Sequence, residues 1–470
     1  MTQRREFIKN SALGSAGIAI GGMGFSSKAY GSIMGANERI NMAVIGIRNQ
    51  GSVHINNWCG LKDSHNVVVK TICDADERLF KSRSKIVSDK TGGTPLTEWD
   101  MRKVFDDKDI HGVSIVTPSH WHALATIWAC QAGKHVYVEK PVSHNIFEGR
   151  KMVEAGIKYK RHIQHGASPA RGEGLDFVLG GGIGKVYMVR VLCLHHRDSY
   201  GFASKDKDTA PPAGFHYDMW LGPAPERPYN PYRSHYCWHW YWDTGCGDTG
   251  NTGPHAIHSA RTGIQKNEQP VYAVSNGGIY GFSQTDKHTP GVNSYGEVET
   301  FGDDRTTQET PNIQNCMFKY SDGTIFEFEE RGRCTNNEGT NNISDGIIFY
   351  GTEGYMEYTG GWKAFRNFEK QPFAGAGIGT AKPVADRSAR PNLFTNFLDV
   401  IRSGKDEDLI NPILGGHYGA SLVHLANISY RLGGRSLNFD KTKEKFVNDP
   451  EADKLLTRPY RKGFVVPDKV

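Results

Sequence analysis

Apolar positions along this chain follow two successive patterns. Between residue 40 and about residue 165, short apolar runs alternate with stretches of helical spacing. The runs Ile40 to Ile45, Val67 to Cys73, Gly112 to Val116 and His135 to Val138 read as strands, and the stretches between them as helices, so a parallel sheet is expected. Beyond Gln164-His165-Gly166 the period changes. A short helix-like run ends in Gly182-Ile183-Gly184-Lys185, and Val186 to His195 then alternates as a strand. Asn315 to Tyr320 and Thr324 to Glu329 flank a Ser321-Asp322-Gly323 turn and predict a hairpin. Helical spacing returns over Asn392 to Arg402 and Gly419 to Leu432.

The first strand ends in Gly46, and Gly51 opens a helical stretch, which is the strand–turn–helix setting of a phosphate loop. The loop reads Gly46-Ile47-Arg48-Asn49-Gln50-Gly51: the outer glycines of GxGxxG are present, and Arg48 stands at the middle one. Arg48 adds a Cβ beside the pyrophosphate, but its guanidinium can lie on a phosphate while helix-start N–H groups complete the cradle. A solvent-facing arginine is the plainer alternative. The second strand ends in Asp74, at the offset where an acid accepts hydrogen bonds from the adenosine ribose and repels a 2′-phosphate. NAD is therefore favoured over NADP.

Thr117-Pro118-Ser119-His120-Trp121-His122 and Val138-Glu139-Lys140-Pro141, in this order after a glycine-turn strand, resemble the glucose-fructose oxidoreductase / inositol dehydrogenase / rhizopine-catabolism (Gfo/Idh/MocA) family. The resemblance implies a Rossmann domain followed by an α+β domain with a large, mainly antiparallel open sheet. It covers most of the chain, with Ile347 to Gly354 resembling the family's strand before a Thr-Glu-Gly turn and Gly415-Gly416-His417 its closing helix. The implied organisation is a dinucleotide domain at 37–165, a substrate and oligomerisation domain at 166–412, a closing helix at 413–433 and a tail at 434–470.

By the same resemblance Lys140 reaches the reacting carbon of the substrate, and the Thr117, Pro118, Ser119, His120 and His122 loop, with Glu139, lines the nicotinamide side. Elementary chemistry agrees for Lys140, because parallel sheets bind ligands at their carboxyl edge and an amine there can hold or take a hydroxyl proton. His255 aligns with the family's catalytic histidine and pairs with Lys140 as acid and base. Two departures stand out. Asn251 replaces an acid four residues before His255, and His258 stands where another acid is common, leaving open which group orients His255. The segment 218–248 is rich in aromatic rings suited to sugar faces, core packing being the plainer alternative. Substrate-side candidates are Arg171, Arg197, Trp238, Trp240, Asp243, Asn251, His255 and His258. Gly281 to Gln308 reads as a long loop near the site.

Composition narrows the remaining classes. With 470 residues, the chain exceeds what one core usually serves. A net charge of +5 from 56 basic and 51 acidic residues, without a dense basic run, argues against a nucleic-acid partner. The eight cysteines lack zinc-ligand spacing, and His239, His255 and His258 lack a carboxylate at HExxH-like spacing, so no metal is expected. Residues 1–31 carry Arg4-Arg5-Glu6-Phe7-Ile8-Lys9, a weakly apolar glycine-containing stretch and small residues near Ala29. They resemble a twin-arginine signal, which implies export to the periplasm by that machinery, a folded protein with preloaded cofactor, and no membrane span in the mature chain.

The expected activity is hydride transfer between a carbinol of a sugar, glycoside or cyclitol and a tightly held nicotinamide dinucleotide, in a homo-oligomer. Two rivals differ in kind. One is NAD-dependent glycoside hydrolysis through transient oxidation, whose active-site sequences differ from Glu139-Lys140-Pro141. The other is a noncatalytic periplasmic sugar-binding protein, motivated by the altered glycine loop and by Asn251 and His258.

Overall fold

Strand β1 (Ile40–Ile45) is apolar on both faces and nearly all of it is buried, as expected for the centre of a parallel sheet. Around it lie β2 (Val67–Cys73), β3 (Leu96–Glu98), β4 (Gly112–Ile115), β5 (His135–Val138) and β6 (Ile163–His165). The order is β3-β2-β1-β4-β5-β6, and every neighbouring pair is parallel. The strand order reverses between β1 and β4, so a crevice opens at their carboxyl ends. The computed structural model describes residues 39–168, 172–195, 208–280, 291–292, 298–299, 307–332, 335, 345–359, 361–377 and 392–470. The twin-arginine-like segment, Arg171, Arg197 and most of the 281–308 loop lie outside the described residues. Of that loop, Gly291–Val292 (β9) and Val298–Glu299 (β10) form a two-residue ladder.

Helices α1 (Asn49–Gly60) and α2 (Phe80–Thr91) pack together beside the sheet, and α3 (Ser119–Gln131) packs with α4 (Ile146–Tyr159). The start of α4 is fixed locally: Asn145 accepts the Glu148 N–H at 2.9 Å, and Glu148 reaches back to the His144 N–H at 3.1 Å.

The second sheet has ten strands in the order β16-β15-β14-β13-β7-β12-β11-β8-β17-β18. They are β7 (Val186–Leu194), β8 (Tyr272–Gly278), β11 (Ile313–Lys319), β12 (Ile325–Arg331), β13 (Asp345–Gly351), β14 (Gly354–Tyr358), β15 (Trp362–Phe365), β16 (Ala374–Gly375), β17 (Leu437–Asp440) and β18 (Lys445–Phe446). Only β7 and β12 pair in parallel, so the sheet is mixed and mostly antiparallel. The expected hairpin is present, with Phe318 opposite Phe326. One face of this sheet is buried beneath α5 (Gly253–Gly263) and α7 (Ile413–Arg431), and α7 also packs on α4.

Late residues complete the first half. Helix α6 (Leu393–Ser403) buries Phe397 and Leu398 against Trp58, and Phe394 stacks on Tyr137 with 5.1 Å between ring centroids. The segment expected as a tail is folded into both halves: β17 and β18 extend the second sheet, whereas Phe464, Val466 and Val470 join the core around Trp121. Of the described cysteines, Cys59, Cys73, Cys130, Cys193, Cys246 and Cys316 are buried, and Cys237 is half-buried.

Candidate functional site

The crevice is shaped first by its glycines. Gly46 has φ +84°, and a Cβ there would lie 2.6 Å from the Val116 carbonyl group. A Cβ on Gly51 would lie 2.0 Å from the Gly46 carbonyl oxygen. Both positions thus require glycine if α1 is to start directly against the ends of β1 and β4. Arg48 is the residue before that helix, whose first turn contains no acid. The helix start therefore offers N–H groups and partial positive charge to an anion, and with the missing Cβ atoms it fits a pyrophosphate.

Asp74 stands at the adjacent strand end. Its Oδ2 accepts the Ile47 N–H at 2.8 Å and its Oδ1 the Asp76 N–H at 2.9 Å. Burial raises this carboxyl to about 6, against the lowering pull of those two N–H groups.

Glu139, at the end of β5, accepts from His54 Nε2 at 2.8 Å, Gln50 Nε2 at 3.2 Å and the Lys140 N–H at 3.0 Å. Burial alone would raise its pKa, but the hydrogen bond and charge of His54, with Lys140, hold it down to about 2. A negative carboxylate is thus fixed beneath the Lys140 loop. The Lys140 ammonium group donates to the Asn251 carbonyl oxygen at 2.5 Å and to Asn251 Oδ1 at 3.2 Å. His255, one turn further along the same segment, has Nδ1 2.9 Å from the Ser168 N–H and 3.0 Å from Ser168 Oγ. Because a backbone N–H only donates, Nδ1 must accept, and in the neutral ring the proton sits on Nε2. Burial, then the nearby Lys140 charge, lowers His255 to about 4, so the ring is neutral at physiological pH.

One cleft gathers Gly46, Arg48, Asn49, Gln50, Gly51, Asp74, Thr117, Pro118, Glu139, Lys140, Trp238, Asn251 and His255. His235, Tyr236 and His239 share it. Other expected contacts lie behind its wall. Ile47 is fully buried, and only its backbone serves the loop, through Asp74 and through its carbonyl to Arg83. Ser119 Oγ donates to the Thr244 carbonyl, and His120 Nε2 bonds the Trp220 carbonyl at 2.9 Å. His122 spans two site loops, with Nδ1 2.7 Å from the Pro141 carbonyl and Nε2 2.8 Å from that of Thr117.

On the substrate side, Trp240 is buried among the turns of its own segment and its carbonyl accepts from Glu309. Asp243 pairs with Arg227 at 2.9 Å. His258 donates to Asn411 Oδ1 at 3.1 Å, and Asn411 in turn donates to the Ala167 carbonyl at 2.6 Å. His258 therefore braces the loop that carries Ser168. Ser168 itself is the orienting group for His255 that the sequence left open; its only signal was its place shortly after the carboxyl end of β6.

Residues 40–166 match a family described as an oxidoreductase family with an NAD-binding Rossmann fold, and residues 185–285 and 318–466 match its C-terminal alpha/beta domain. The chain belongs to this Gfo/Idh/MocA oxidoreductase family. It is 28% identical over 177 residues to a glycosyl hydrolase family 109 protein of Shewanella pealeana, a match covering 34% of this chain and 38% of that protein. Over 95 residues it is 35% identical to levoglucosan dehydrogenase of Pseudarthrobacter phenanthrenivorans, covering 19% and 24%. These matches thus span well under half of the curated relatives. The fold is similar to the WlbA dehydrogenase of Bordetella pertussis, solved with NADH and UDP-GlcNAcA, at TM-score 0.59 and 14% identity over 86% of this chain and 99% of that one. Residues 40–166 form an NAD-binding Rossmann domain.

Proposed function

We propose that the protein oxidises or reduces a carbinol of a sugar, glycoside or cyclitol, using NAD rather than NADP held in the cleft. Bound NAD supplies the redox chemistry. The observation that carries the reading is the convergence of Lys140 and His255 on the same cleft as Gly46, Gly51 and Asp74. Lys140, its side-chain nitrogen positioned by the carbonyl oxygen and Oδ1 of Asn251, exchanges a proton with the substrate hydroxyl. His255 donates from Nε2 to the same oxygen and steadies it as charge develops; with Nδ1 occupied by Ser168, it does not act as the base. Asp74, lining the adenosine end, supports NAD over a 2′-phosphorylated cofactor.

Relatives support the sugar class: levoglucosan dehydrogenase is solved with NADH and levoglucosan, and an aldose-aldose oxidoreductase of Caulobacter crescentus shares the fold. The similarity to glycosyl hydrolase family 109 proteins favours one second reading, glycoside cleavage with no net change in the cofactor. Export through the twin-arginine route and assembly into a homo-oligomer are part of the proposal and explain why the cofactor would be retained.

The deciding experiment mixes NAD-loaded protein with sugars and aryl glycosides, following reduced nicotinamide and released aglycone separately. Reduction by one sugar class, lost by about 10²–10⁴-fold in Lys140→Met, supports oxidoreduction. Aglycone release without accumulated reduced cofactor supports hydrolysis, and neither signal with bound NAD would sink both.

A further inference from the structure

Between β7 and α5 the chain makes an excursion back onto the first half, and its contacts fall where β2 delivers Asp74. The Glu77 N–H donates to the Gly214 carbonyl at 2.9 Å, and the His216 N–H to the Ala75 carbonyl at 2.8 Å, around an antiparallel bridge between Asp76 and Phe215. His216 Nε2 lies 2.7 Å from Glu77 Oε1. The His216 ring also stacks on Trp99, with 4.0 Å between centroids and 12° between planes. Further along, His235 Nε2 is 3.8 Å from Asp76 Oδ2, and its ring stacks on Phe215. The Trp121 indole N–H ties the excursion down again through the Met219 and Trp220 carbonyls, each at 3.0 Å.

A dinucleotide on a Rossmann sheet lays its adenosine across the end of β2, with the ribose at the acid. In this chain that edge is crossed by the excursion. Met219, Trp220 and His235 line the cleft together with Ala75, Leu79 and Trp99, a set of flat rings and apolar groups suited to a purine. We propose that residues 214–236 form a latch over the adenosine half, so that NAD is a resident, slowly exchanging group. To expose the adenosine edge, the protein must break two backbone hydrogen bonds, the Glu77–His216 pair and the Trp99 stack together. The inference deepens the retained-cofactor part of the reading above and rests on NAD binding in the cleft, not on the substrate.

The test loads the full chain with NAD, adds an excess of isotopically labelled NAD, and follows the bound pool by mass spectrometry. Exchange in the wild type should take many minutes or longer, and His216→Ala, which removes both the pair and the stack, should exchange at least tenfold faster. Glu77→Gln, at a half-exposed position, removes only the charge and should fall between them, which keeps the test open if His216→Ala folds poorly. Amide hydrogen exchange at Glu77 and His216 should slow when NAD is bound. Wild-type exchange as fast as mixing, or unchanged rates in both variants, overturns the latch while leaving NAD binding intact. Failure to take up NAD at all overturns the cofactor reading and the latch together.

Discussion

Acidification from pH 8 to pH 5 should destabilise the apo protein, and buried histidines set the size of the effect. His120 is fully buried and His424 nearly so. Burial is the largest cause lowering each to about 3. Their folded pKa values lie below the unfolded one, so between about 6.5 and 3 the unfolded chain binds more protons and stability falls as pH falls. At pH 5 each costs about 2 kcal/mol relative to pH 8, or about 4 kcal/mol together. Asp74 acts oppositely: burial raises it to about 6, so the folded chain takes up a proton first and gains about 1 kcal/mol by pH 5. The histidines win. His122, His144, His165 and His417, also lowered chiefly by burial, push the same way. For His120, His424 and Asp74 alone the sum is a loss of about 3 kcal/mol, a lower bound on the total and already a large part of a typical folding free energy. Urea denaturation at both pH values measures it, and His424→Asn should flatten the difference by about 2 kcal/mol. Equal stability at the two pH values, or an undiminished slope in His424→Asn, would refute this account.

Two substitutions probe the loop and the late segment. Gly51→Ala should weaken NAD binding at least tenfold by calorimetry, because its Cβ would sit 2.0 Å from the Gly46 carbonyl oxygen and push the helix start off the loop. Arg458→Met should cost about 3–5 kcal/mol in denaturant melts, because it strips the cation from the buried Glu148 carboxylate, 2.9 Å away. Adding Glu148→Gln to that variant should recover part of the loss; no recovery would show that packing of the arginine stem, not charge, carries it.

What could be read beforehand was local in sequence. Gly46, Gly51 and Asp74 announce themselves because loop and strand ends sit within about thirty residues, and the spacing follows from one βαβ unit. Lys140 was legible only through its motif. Ser168 was not, because it meets His255 across 87 residues of separation that no spacing encodes. His255 and His258 look alike on paper, yet three residues along a helix turn a side chain by about 60° from its neighbour, enough to send one into the cleft and the other to Asn411. Trp238 and Trp240 were equally inseparable: the short 3-10 turn from His235 to Trp240 puts one on the cleft and buries the other.

The packing of α6 and of residues 457–470 onto the first sheet bears on the order in which the protein is made. During synthesis the Rossmann strands leave the ribosome early, but Tyr137 and Trp58 lack their Phe394 and Phe397 neighbours, and Trp121 lacks Phe464, until hundreds of residues later. The nucleotide-binding half is therefore not a vectorially folding unit; its apolar surface must wait, shielded, for the distal chain. Cofactor capture in its final form is consequently an event of the finished polypeptide, and a nascent chain arrested before residue 393 should display an unfinished, aggregation-prone sheet.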